Sequence, residues 1–473
     1  MTTINSPGLT GKHQSVEERQ ATGKAARAAL SRSSHAEFVP GAARFDPLEL
    51  LRSEDVSRVP ELVPIRYGRM LTSPFAFYRG SAVLMANDLG AQRHSQLLTQ
   101  LCGDAHLSNF GVFGAPDRRL VFDINDFDET LPGPWEWDVK RLAASIAIAG
   151  RSLGHAPKQR AEAVCACVAT YRERMRELAE MTNLEVWYSR LEADQAAAIL
   201  NKEGDAKAQR RLDKFAEKAY TRDSMREFKK LTRIVDGEPR IASDPPLIVP
   251  AEELAPGLER DQIHDFLDAI LRDYASKLAS DRRHLLEQYR LVHAARKVVG
   301  VGSVGTRVWI VLLLGRDDGD PLFLQVKEAG RSVLEPLLGP SELQFAGERV
   351  IAGQRLMQAA PDILLGWQNA AGIDGVEREF YVRQLKDWKG SAKIETFDAR
   401  TLGLYGALCG RVLARAHARG GDRVAIASYL GKSETFDRAI AGYAEKYADQ
   451  NEADYARVQQ AAEDGEIEVI NGL

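Results

Sequence analysis

The sequence predicts an α+β protein with two lobes, a small antiparallel β lobe and a larger helical lobe. A chain of 473 residues is long enough for two such units. Apolar residues recur at helical spacing through Val139, Leu142 and Ile146. Residues 297–312 instead indicate a strand, a Gly-rich turn and a second strand, because the apolar run after the glycines has no polar helical face.

Composition excludes several classes of protein. Hydrophobic residues make up 44% of the chain and charged residues 27%, as in ordinary soluble globular proteins. A net charge of -4 argues against a dedicated nucleic-acid-binding protein. The four cysteines match neither a zinc-site spacing nor a disulfide framework. Because residues 1–10 lack a signal-peptide core and no apolar run is long enough for a membrane span, we expect a cytoplasmic protein.

The predicted elements divide the chain into five segments. The first is a polar, flexible N-terminal arm that contains a helix from Val16 to Leu30. A long helix is expected at about 261–293. The segments are the arm (1–45), the first part of the larger lobe (46–150), its helical substrate side (151–295), the β lobe (296–395) and C-terminal helices that complete the larger lobe (396–473).

Two short stretches carry the residue types that phosphoryl transfer needs. Asp104 is followed five residues later by Asn109, and Asp126 and Asp128 come at the end of the next predicted strand. One carboxylate can orient an attacking hydroxyl, while an amide and a later carboxylate hold Mg²⁺ against nucleotide phosphates. We therefore interpret Asp104 as the catalytic base. Asn109, Asp126 and Asp128 are the candidate metal ligands.

The strands around these residues set the alternatives. Leu97–Cys102 is expected to be a buried strand that leads into the Asp104 loop and pairs with Leu120–Ile124. If the register of the second strand is shifted, Asp123 replaces Asp126 as the metal ligand. His106 is interpreted mainly as a residue that shapes the loop, with acid/base catalysis as the alternative. Asp138, on the following helix, is expected to support the loop.

A Gly-rich turn follows much later in the chain. Gly300, Gly302 and Gly305 form a G-x-G-x-x-G pattern that also includes Ser303. A dinucleotide-binding version requires a helix directly afterwards, whereas a second strand is predicted here. In the version typical of kinases, a hairpin covers the phosphates with its backbone N–H groups. A plain Gly-rich hairpin is the alternative.

Lys327 strengthens this interpretation because it lies in an apolar predicted strand. A buried lysine is costly unless it meets an anion. In kinases such a lysine reaches the α- and β-phosphates and is held by a glutamate from the following helix. Glu335 and Glu348 are both candidates for that glutamate, and each could equally be a surface residue. Phe380–Asp387 is then expected to be the strand that leads to an adenine site.

The motifs occur in a rotated order. The spacing of Asp104, Asn109 and Asp126 resembles that of protein-kinase-like enzymes, particularly those of the aminoglycoside-phosphotransferase type. In those enzymes the Gly loop and the lysine come first, whereas here Lys327 follows Asp126 by about two hundred residues. A circular permutation accounts for this order, and such a change is tolerated where the new ends lie close together on the surface.

Over nearly its whole length the chain resembles the bacterial family known as domain of unknown function 2252. That family is defined by sequence and not by activity, so the resemblance implies little about function. The stretches that carry it are Arg69–Met70, Ser73–Gly80, Gly103–Gly111, Phe122–Thr130, Pro134–Arg141, Val298–Thr306, Gln325–Ala329 and Tyr381–Gly390.

The sequence thus predicts an ATP- and Mg²⁺-dependent phosphotransferase with an unknown hydroxyl acceptor, which could be a small molecule or a protein. Transfer of AMP on the same scaffold is one alternative. A nucleotide-binding regulatory module without catalysis is another, and a structural protein with coincidental Gly and Asp motifs is a third. The expected ligands are ATP and Mg²⁺, and no nucleic-acid partner is expected.

Overall fold

The fold is mixed α+β with antiparallel sheets, as the sequence predicts. The computed structural model describes residues 11, 13–41, 44–202, 224–255, 257–372, 375–385 and 388–473. Lys386 and Asp387, at the end of the predicted adenine-site strand, lie outside this described part. No helix within it is both long enough and apolar enough to cross a bilayer.

Helices account for most of the described chain. The helices before the large sheet are α1 (Val16–Ala29), α2 (Pro47–Asp55), α3 (Val63–Met70), α4 (Pro74–Gly80), α5 (Ala82–Gly90), α6 (Glu136–Ser152), α7 (Pro157–Glu180), α8 (Asn183–Tyr188), α9 (Ala193–Lys202) and α10 (Ser224–Leu231). The later helices are α11 (Ala251–Leu254), α12 (Arg260–Ser276), α13 (Ser280–Leu286), α14 (Glu335–Leu338), α15 (Ala346–Met357), α16 (Ala399–Gly420), α17 (Arg423–Leu430) and α18 (Thr435–Glu463).

The strands form one large antiparallel sheet and three small ones. The large sheet has the order β11-β12-β10-β9-β8-β7, and the small ones pair β1 with β4, β5 with β6, and β13-β2-β3. The strands are β1 (Leu98–Leu101), β2 (Phe110–Gly114), β3 (Leu120–Ile124), β4 (Leu131–Pro134), β5 (Thr232–Val235), β6 (Glu238–Ile241), β7 (Ile248–Pro250), β8 (Arg290–Lys297), β9 (Val308–Leu314), β10 (Pro321–Glu328), β11 (Gly366–Ala371), β12 (Glu377–Gln384) and β13 (Gly390–Ser391).

The main hydrophobic core lies among helices α6, α7, α16, α17 and α18. Trp135, directly before α6, is fully buried and stacks on Tyr171 of α7. Helices α7 and α16 approach closely at Gly410, where a Cβ would stand 2.3 Å from the carbonyl oxygen of Cys167. Cys167 is a buried free thiol, as expected for a core residue. This core includes helix α6, from which both Asp138 and Arg141 reach the candidate site.

The N-terminal segment is attached more closely than the loose arm that the sequence predicts. The predicted helix is present as α1, and it packs on α17 with Gly23 against the backbone of Ala425. Arg19 forms an ion pair with Asp422 at 2.7 Å. Close backbone packing and an ion pair together hold the segment on the helical core.

Two predicted elements differ from the structure. Leu97–Cys102 does contain a strand, but β1 pairs with β4 and not with β3. The partner of β3 is β2, which follows the Asp104 loop directly and returns through the short turn at 115–119. The helix predicted at 261–293 is divided into α12 and α13, and its last part belongs to β8. Pairing with β9 overrides the helical pattern there, so the large sheet begins before residue 296.

Candidate functional site

Lys327 and the acidic turn after β3 come together although they are far apart in the sequence. The Nζ atom of Lys327 forms a close ion pair with Asp128 and lies 3.9 Å from Oδ2 of Asp126. Tyr381 donates a hydrogen bond from its hydroxyl to Oδ1 of Asp128 at 2.7 Å. Lys327 is 3% exposed, whereas each aspartate side chain is about 30% exposed. The lysine is therefore enclosed, while both carboxylates remain open to a ligand.

The charges in this cluster shift one another's pKa values. Burial opposes ionisation of Asp126, but the positive charges of Lys327 and Arg383 outweigh it and lower the pKa of that carboxyl. Burial and the negative charge of Asp126 raise the pKa of Asp128. Burial acts against the charged form of Lys327, but both carboxylates raise its pKa well above the ordinary range. The cluster thus holds a permanent ammonium against two acidic side chains.

Asp104 is held by a buried arginine. Arg141 of α6 donates a hydrogen bond from Nε to Oδ1 of Asp104 at 2.8 Å, and its Nη2 lies at ion-pair distance, 2.8 Å, from the same oxygen. Its other contacts are a hydrogen bond to the carbonyl oxygen of Tyr78 and a position over the Tyr78 ring at 3.8 Å. Arg141 contacts Oδ1 of Asp104, whereas Oδ2 lies 3.5 Å from Nε2 of His106. The side chain of Asp104 is 20% exposed.

Asp138 supports the Asp104 loop from α6, as predicted. Its carboxylate accepts hydrogen bonds from the backbone N–H groups of Cys102 and Gly103 at 2.8 and 3.1 Å. His417 of α16 contacts the same carboxylate at 3.1 Å. Gly103 has φ +84° and packs on the backbone of Glu129, so a side chain there would both strain the turn and collide. The start of the loop is therefore fixed by its backbone.

Asn109 has an oxygen that is free to bind a ligand. Its Nδ2 donates to the carbonyl oxygen of Asp104 at 2.7 Å, and within the described residues its Oδ1 accepts no hydrogen bond. The backbone N–H of Asn125 donates to the carbonyl of Asn109 at 2.8 Å. This contact brings Asn109 next to the turn that carries Asp126.

His106 shapes the loop. Its Nδ1 accepts a hydrogen bond from the backbone N–H of Ser108 at 3.2 Å, and its Nε2 lies 3.5 Å from Oδ2 of Asp104. Burial lowers the pKa of His106 to about 4, because the negative charge of Asp104 only partly offsets it. The imidazole is thus neutral near neutral pH and is not an imidazolium acid there. Because Nδ1 accepts a hydrogen bond, its single N–H is at Nε2, the nitrogen beside Asp104.

Asp123 has a structural partner, which weakens it as the alternative metal ligand. It is buried, forms a close ion pair with Arg415 of α16, and accepts a hydrogen bond from the N–H of Ala359 at 3.1 Å. Alternation along β3 directs this carboxylate toward α16. Asp126 and Asp128 lie beyond the strand end, where they meet Lys327.

The Gly-rich segment connects β8 and β9 as the predicted hairpin turn. Gly300 and Gly305 have φ of +68° and +92°, which favours glycine at both positions. Arg58 donates to the carbonyl oxygens of Gly302 and Val304, at 2.8 and 2.6 Å. Ser303 accepts a backbone hydrogen bond from Thr306 at 3.2 Å. The carbonyl groups of the turn are therefore tied to the segment before α3.

The turn ends beside Lys327. Val308, the first residue of β9, pairs in register with Lys327 on β10. The N–H of Glu328 donates to the carbonyl oxygen of Arg307 at 2.9 Å. The hairpin and the lysine therefore belong to adjacent strands of one sheet.

Neither Glu335 nor Glu348 holds Lys327 as the kinase pattern predicts. Glu335 pairs with Arg331 at 2.9 Å and lies 3.9 Å from Arg349. Glu348 is half-buried in the first turn of α15 and lies beyond ion-pair distance of Lys327. The ion pairs of Lys327 are with Asp126 and Asp128. Lys327 is therefore paired with the acidic turn and with neither of the two predicted glutamates.

Helix α15 contacts the acidic turn through an arginine. Arg349 donates to the carbonyl oxygens of Asp128 and Thr130 at 2.8 and 2.7 Å, and to that of Gly330 at 2.8 Å. These bonds fix the backbone of the acidic turn relative to the residues after β10. The helix after the lysine strand therefore positions the turn and not the lysine.

Three residues of the site had no role assigned from the sequence: Arg141, Tyr381 and Arg383, the last two named only as part of the strand expected to lead to an adenine site. Arg383 donates to Oε1 of Gln325 at 3.0 Å and to the carbonyl oxygen of Asn125 at 2.9 Å, so it fixes the strands to the acidic turn. Tyr381 lies directly opposite Lys327 in the antiparallel pair of β10 and β12. The pairing of β10 with β12 is the signal that identifies Tyr381 and Arg383, because residues at opposite positions of paired strands lie on the same face of the sheet.

The donor set fits a magnesium ion. Mg²⁺ is usually held by one or two carboxylates together with substrate phosphates and water. Asp126 and Asp128 supply accessible carboxylates, and Asn109 supplies an unused amide oxygen. No group of three or more His, Cys, Asp or Glu side chains with metal-site geometry occurs in the described part of the chain. The site would therefore depend on phosphate oxygens to complete the coordination shell.

Comparison with known proteins identifies the family of the chain. A family model described as "Uncharacterized protein conserved in bacteria (DUF2252)" matches residues 58–461. The chain belongs to this family. Comparisons with curated proteins and with solved structures give no match. The matched span includes Asp104, Asp126 and Lys327, so the candidate site lies entirely within the region that defines the family.

Proposed function

We propose that the protein is an ATP- and Mg²⁺-dependent phosphotransferase with a kinase-like, circularly permuted arrangement of its two halves. One observation carries the proposal. Lys327, from the sheet, meets Asp126 and Asp128, from the turn that lies next to Asn109 and the Asp104 loop. This is the combination of a phosphate-binding ammonium, hard oxygen ligands and a candidate base that phosphoryl transfer requires.

The surrounding elements support a nucleotide in this place. The Gly-rich hairpin, the lysine strand, helix α15 and the strands β11 and β12 follow one another in the order expected of a kinase-like β lobe. A cavity at the end of β12 is lined by Asn125, Arg383, Gln384 and Leu385, among other residues. This cavity adjoins the acidic turn through Asn125, where an adenine bound near β12 could extend its phosphates toward Lys327.

In the proposed reaction the acceptor oxygen attacks the γ-phosphorus of ATP. The bond from that phosphorus to the β,γ-bridging oxygen breaks, and ADP leaves with the electron pair of the bond. Oδ2 of Asp104 orients the acceptor hydroxyl and takes its proton, while Arg141 holds Oδ1. Lys327 binds phosphate oxygens, and Asn109, Asp126 and Asp128 would hold Mg²⁺, which neutralises phosphate charge when bound. Alignment and charge stabilisation supply most of the acceleration.

Ligand-dependent thermal stability tests the proposal. A ligand of the native state raises Tm, so millimolar ATP with Mg²⁺ should raise Tm by a few degrees in the full-length protein. Asp126→Ala should remove the Mg²⁺-dependent part of that shift. Asp317→Asn removes an exposed carboxylate that pairs with Arg316 in the β9–β10 turn, and it should leave the shift unchanged. Absence of any shift in the wild-type protein would contradict nucleotide binding.

An acceptor screen with labelled ATP then tests the chemistry. Label at the γ-phosphate should appear in the product, whereas label at the α-phosphate should remain in ADP. Transfer of α-label would instead indicate AMP transfer. Nucleotide binding without turnover across a broad panel of metabolites and proteins would favour a regulatory module.

A further inference from the structure

Arg79, the second-last residue of α4, has a charged side chain with no hydrogen-bond or ion-pair partner in the described part of the chain. Within the described residues its guanidinium makes no hydrogen bond or ion pair, and its Nε is shielded from solvent. The nearest aromatic ring, that of Phe75, lies 6.0 Å away. Leaving a shielded, charged donor without an acceptor costs free energy. A bound anionic ligand would supply the missing hydrogen-bond acceptor and counter-charge.

Arg79 lies between the Gly-rich turn and the Asp104 loop. Its carbonyl oxygen is 3.3 Å from the point where a Cβ on Gly302 would stand, and Gly80 packs against Val301. On the other side, the adjacent carbonyl of Tyr78 accepts the hydrogen bond from Arg141, which holds Asp104. The backbone around Arg79 thus contacts both the turn proposed to cover the phosphates and the arginine that positions the base.

The charged groups that act on Arg79 also indicate that its side chain lies near Asp104. Burial lowers the pKa of Arg79, and the negative charges of Asp104 and Glu395 partly offset that effect. The positive charge of Arg79 also contributes to the low pKa of His106, after burial. The guanidinium is therefore close enough to feel the charge of Asp104 and to act on His106. Lys327, in contrast, is already balanced by two carboxylates.

We propose that Arg79 binds the oxygen atoms of the phosphoryl group as it passes from ATP to the acceptor. The inference rests on the phosphotransferase proposed above. The planar fork of a guanidinium matches two phosphate oxygens. Charge on the equatorial oxygens must be stabilised while the bond to ADP breaks and the bond to the acceptor forms. Arg79 supplies positive charge that no ion pair balances among the described residues. The charge of Lys327, in contrast, is already balanced by Asp126 and Asp128.

Binding of MgADP with and without aluminium fluoride tests this role. Aluminium fluoride is the probe because it mimics the transferred phosphoryl group, and transition-state mimics bind more tightly than substrates. In the wild-type protein it should tighten MgADP binding. In Arg79→Ala, MgADP alone should bind within about twofold of wild type, while the gain from aluminium fluoride should fall by at least about tenfold.

Two variants serve as controls. Arg79→Lys keeps a positive charge without the fork, so it should retain part of the gain. Lys393→Ala removes an exposed cation two residues from Glu395, and it should retain the full gain. If Arg79→Ala does not fold, Arg79→Gln preserves the length of the side chain and gives the same measurement.

The outcomes separate the two proposals. A full gain from aluminium fluoride in Arg79→Ala would overturn the role of Arg79, as would a loss of MgADP binding itself in that variant. Wild-type protein that binds MgADP but gains nothing from aluminium fluoride would also overturn it. Wild-type protein that does not bind MgADP at all would instead overturn the proposed phosphotransferase.

Discussion

Lys327 contacts the carboxylates of Asp126 and Asp128 and lies near the ring of Tyr381, whereas Arg79 forms no ion pair among the described residues. Both cations lie in or beside the candidate site, yet only the first is balanced within the fold. A balanced cluster contributes to folding and is disrupted when one member is removed. A shielded cation without a counter-ion opposes folding and favours the binding of an anion. Lys327 thus belongs to the folded structure of the site, whereas Arg79 carries the charge that we propose is balanced by a bound phosphoryl group.

Loss of the proposed base should have the largest effect on activity. Asp104→Asn retains an oxygen for Arg141 but cannot take a proton, and a general base typically contributes about 10²–10⁴-fold. ATP turnover in the presence of an acceptor should fall by that factor. Tm should also fall, because the buried Arg141 loses the charge of its partner, whereas the Tm shift with MgATP should change little. Turnover within about threefold of wild type would remove Asp104 from the chemistry.

Loss of the balanced cation should have the next largest effect, and it should act on stability. Lys327→Met leaves Asp126 and Asp128 without their ammonium, and breaking a buried pair costs about 3–5 kcal/mol. Because both carboxylates are about 30% exposed, we expect roughly 2–3 kcal/mol in urea unfolding.

Two further variants control that measurement. Lys327→Met with Asp128→Asn should recover part of the loss, since the neutral amide needs no cation. Arg331→Met removes an exposed arginine from the buried Glu335, which keeps the N–H of Ser332 and the nearby Arg349 as partners, so it should cost less than about 1 kcal/mol. Equal losses for Lys327→Met and Arg331→Met would contradict the balanced cluster.

A smaller effect should appear as a pH dependence of stability. The pKa of His106 is about 4 in the folded protein, against about 6.5 for an unperturbed histidine, so the unfolded chain binds the proton first as pH falls. Stability associated with His106 is complete above about pH 6.5 and is lost between pH 6.5 and 4, by about 3 kcal/mol at most.

Comparison of histidine variants isolates this contribution. His106→Gln should lose less unfolding free energy than wild type between pH 6.5 and 4, measured by urea unfolding at each pH. His284→Gln replaces an exposed histidine and should follow the wild-type curve. Parallel curves for His106→Gln and wild type would contradict the pKa shift of His106.

The smallest effect is expected at Glu348. This residue forms no ion pair with Lys327, so Glu348→Gln should change ATP affinity and turnover by no more than about twofold. Glu335→Gln, which weakens contacts to Arg331 and Arg349, is the matched comparison and should act mainly on stability. A tenfold loss of ATP affinity in Glu348→Gln would show that the glutamate pairs with Lys327 once nucleotide binds.

Local features of the site were predictable from residue type and spacing. The Gly-rich turn was evident because β-branched residues follow Gly305. The support from Asp138 was expected because this residue resembles the Asp that supports the catalytic loop in kinase-like enzymes. The partner of Lys327 was not predictable. The choice among Glu335, Glu348 and the acidic turn depends on how α15 packs, which the order of residues does not specify.

The sequence also did not show which strands and which side chains pair with one another. The partner of β1 was predicted as β3, although both β3 and β4 follow within a short stretch and each could close a hairpin. The role of Arg141 was missed because an arginine on a helix is most often a solvated residue. Only its burial beneath Tyr78 identifies it as the residue that holds Asp104.

By itself the sequence determined the α+β class, the strand and helix character of most segments near the site, and the residue types available for chemistry. These follow from short-range periodicity and from the backbone demands of glycine, which act within a few residues. The tertiary structure alone decided which carboxylates meet Lys327, which arginine holds Asp104, and that Arg79 has no partner among the described residues. Those outcomes depend on charge burial between segments far apart in the chain, where the cost of an unpaired group is set by packing and not by sequence neighbours.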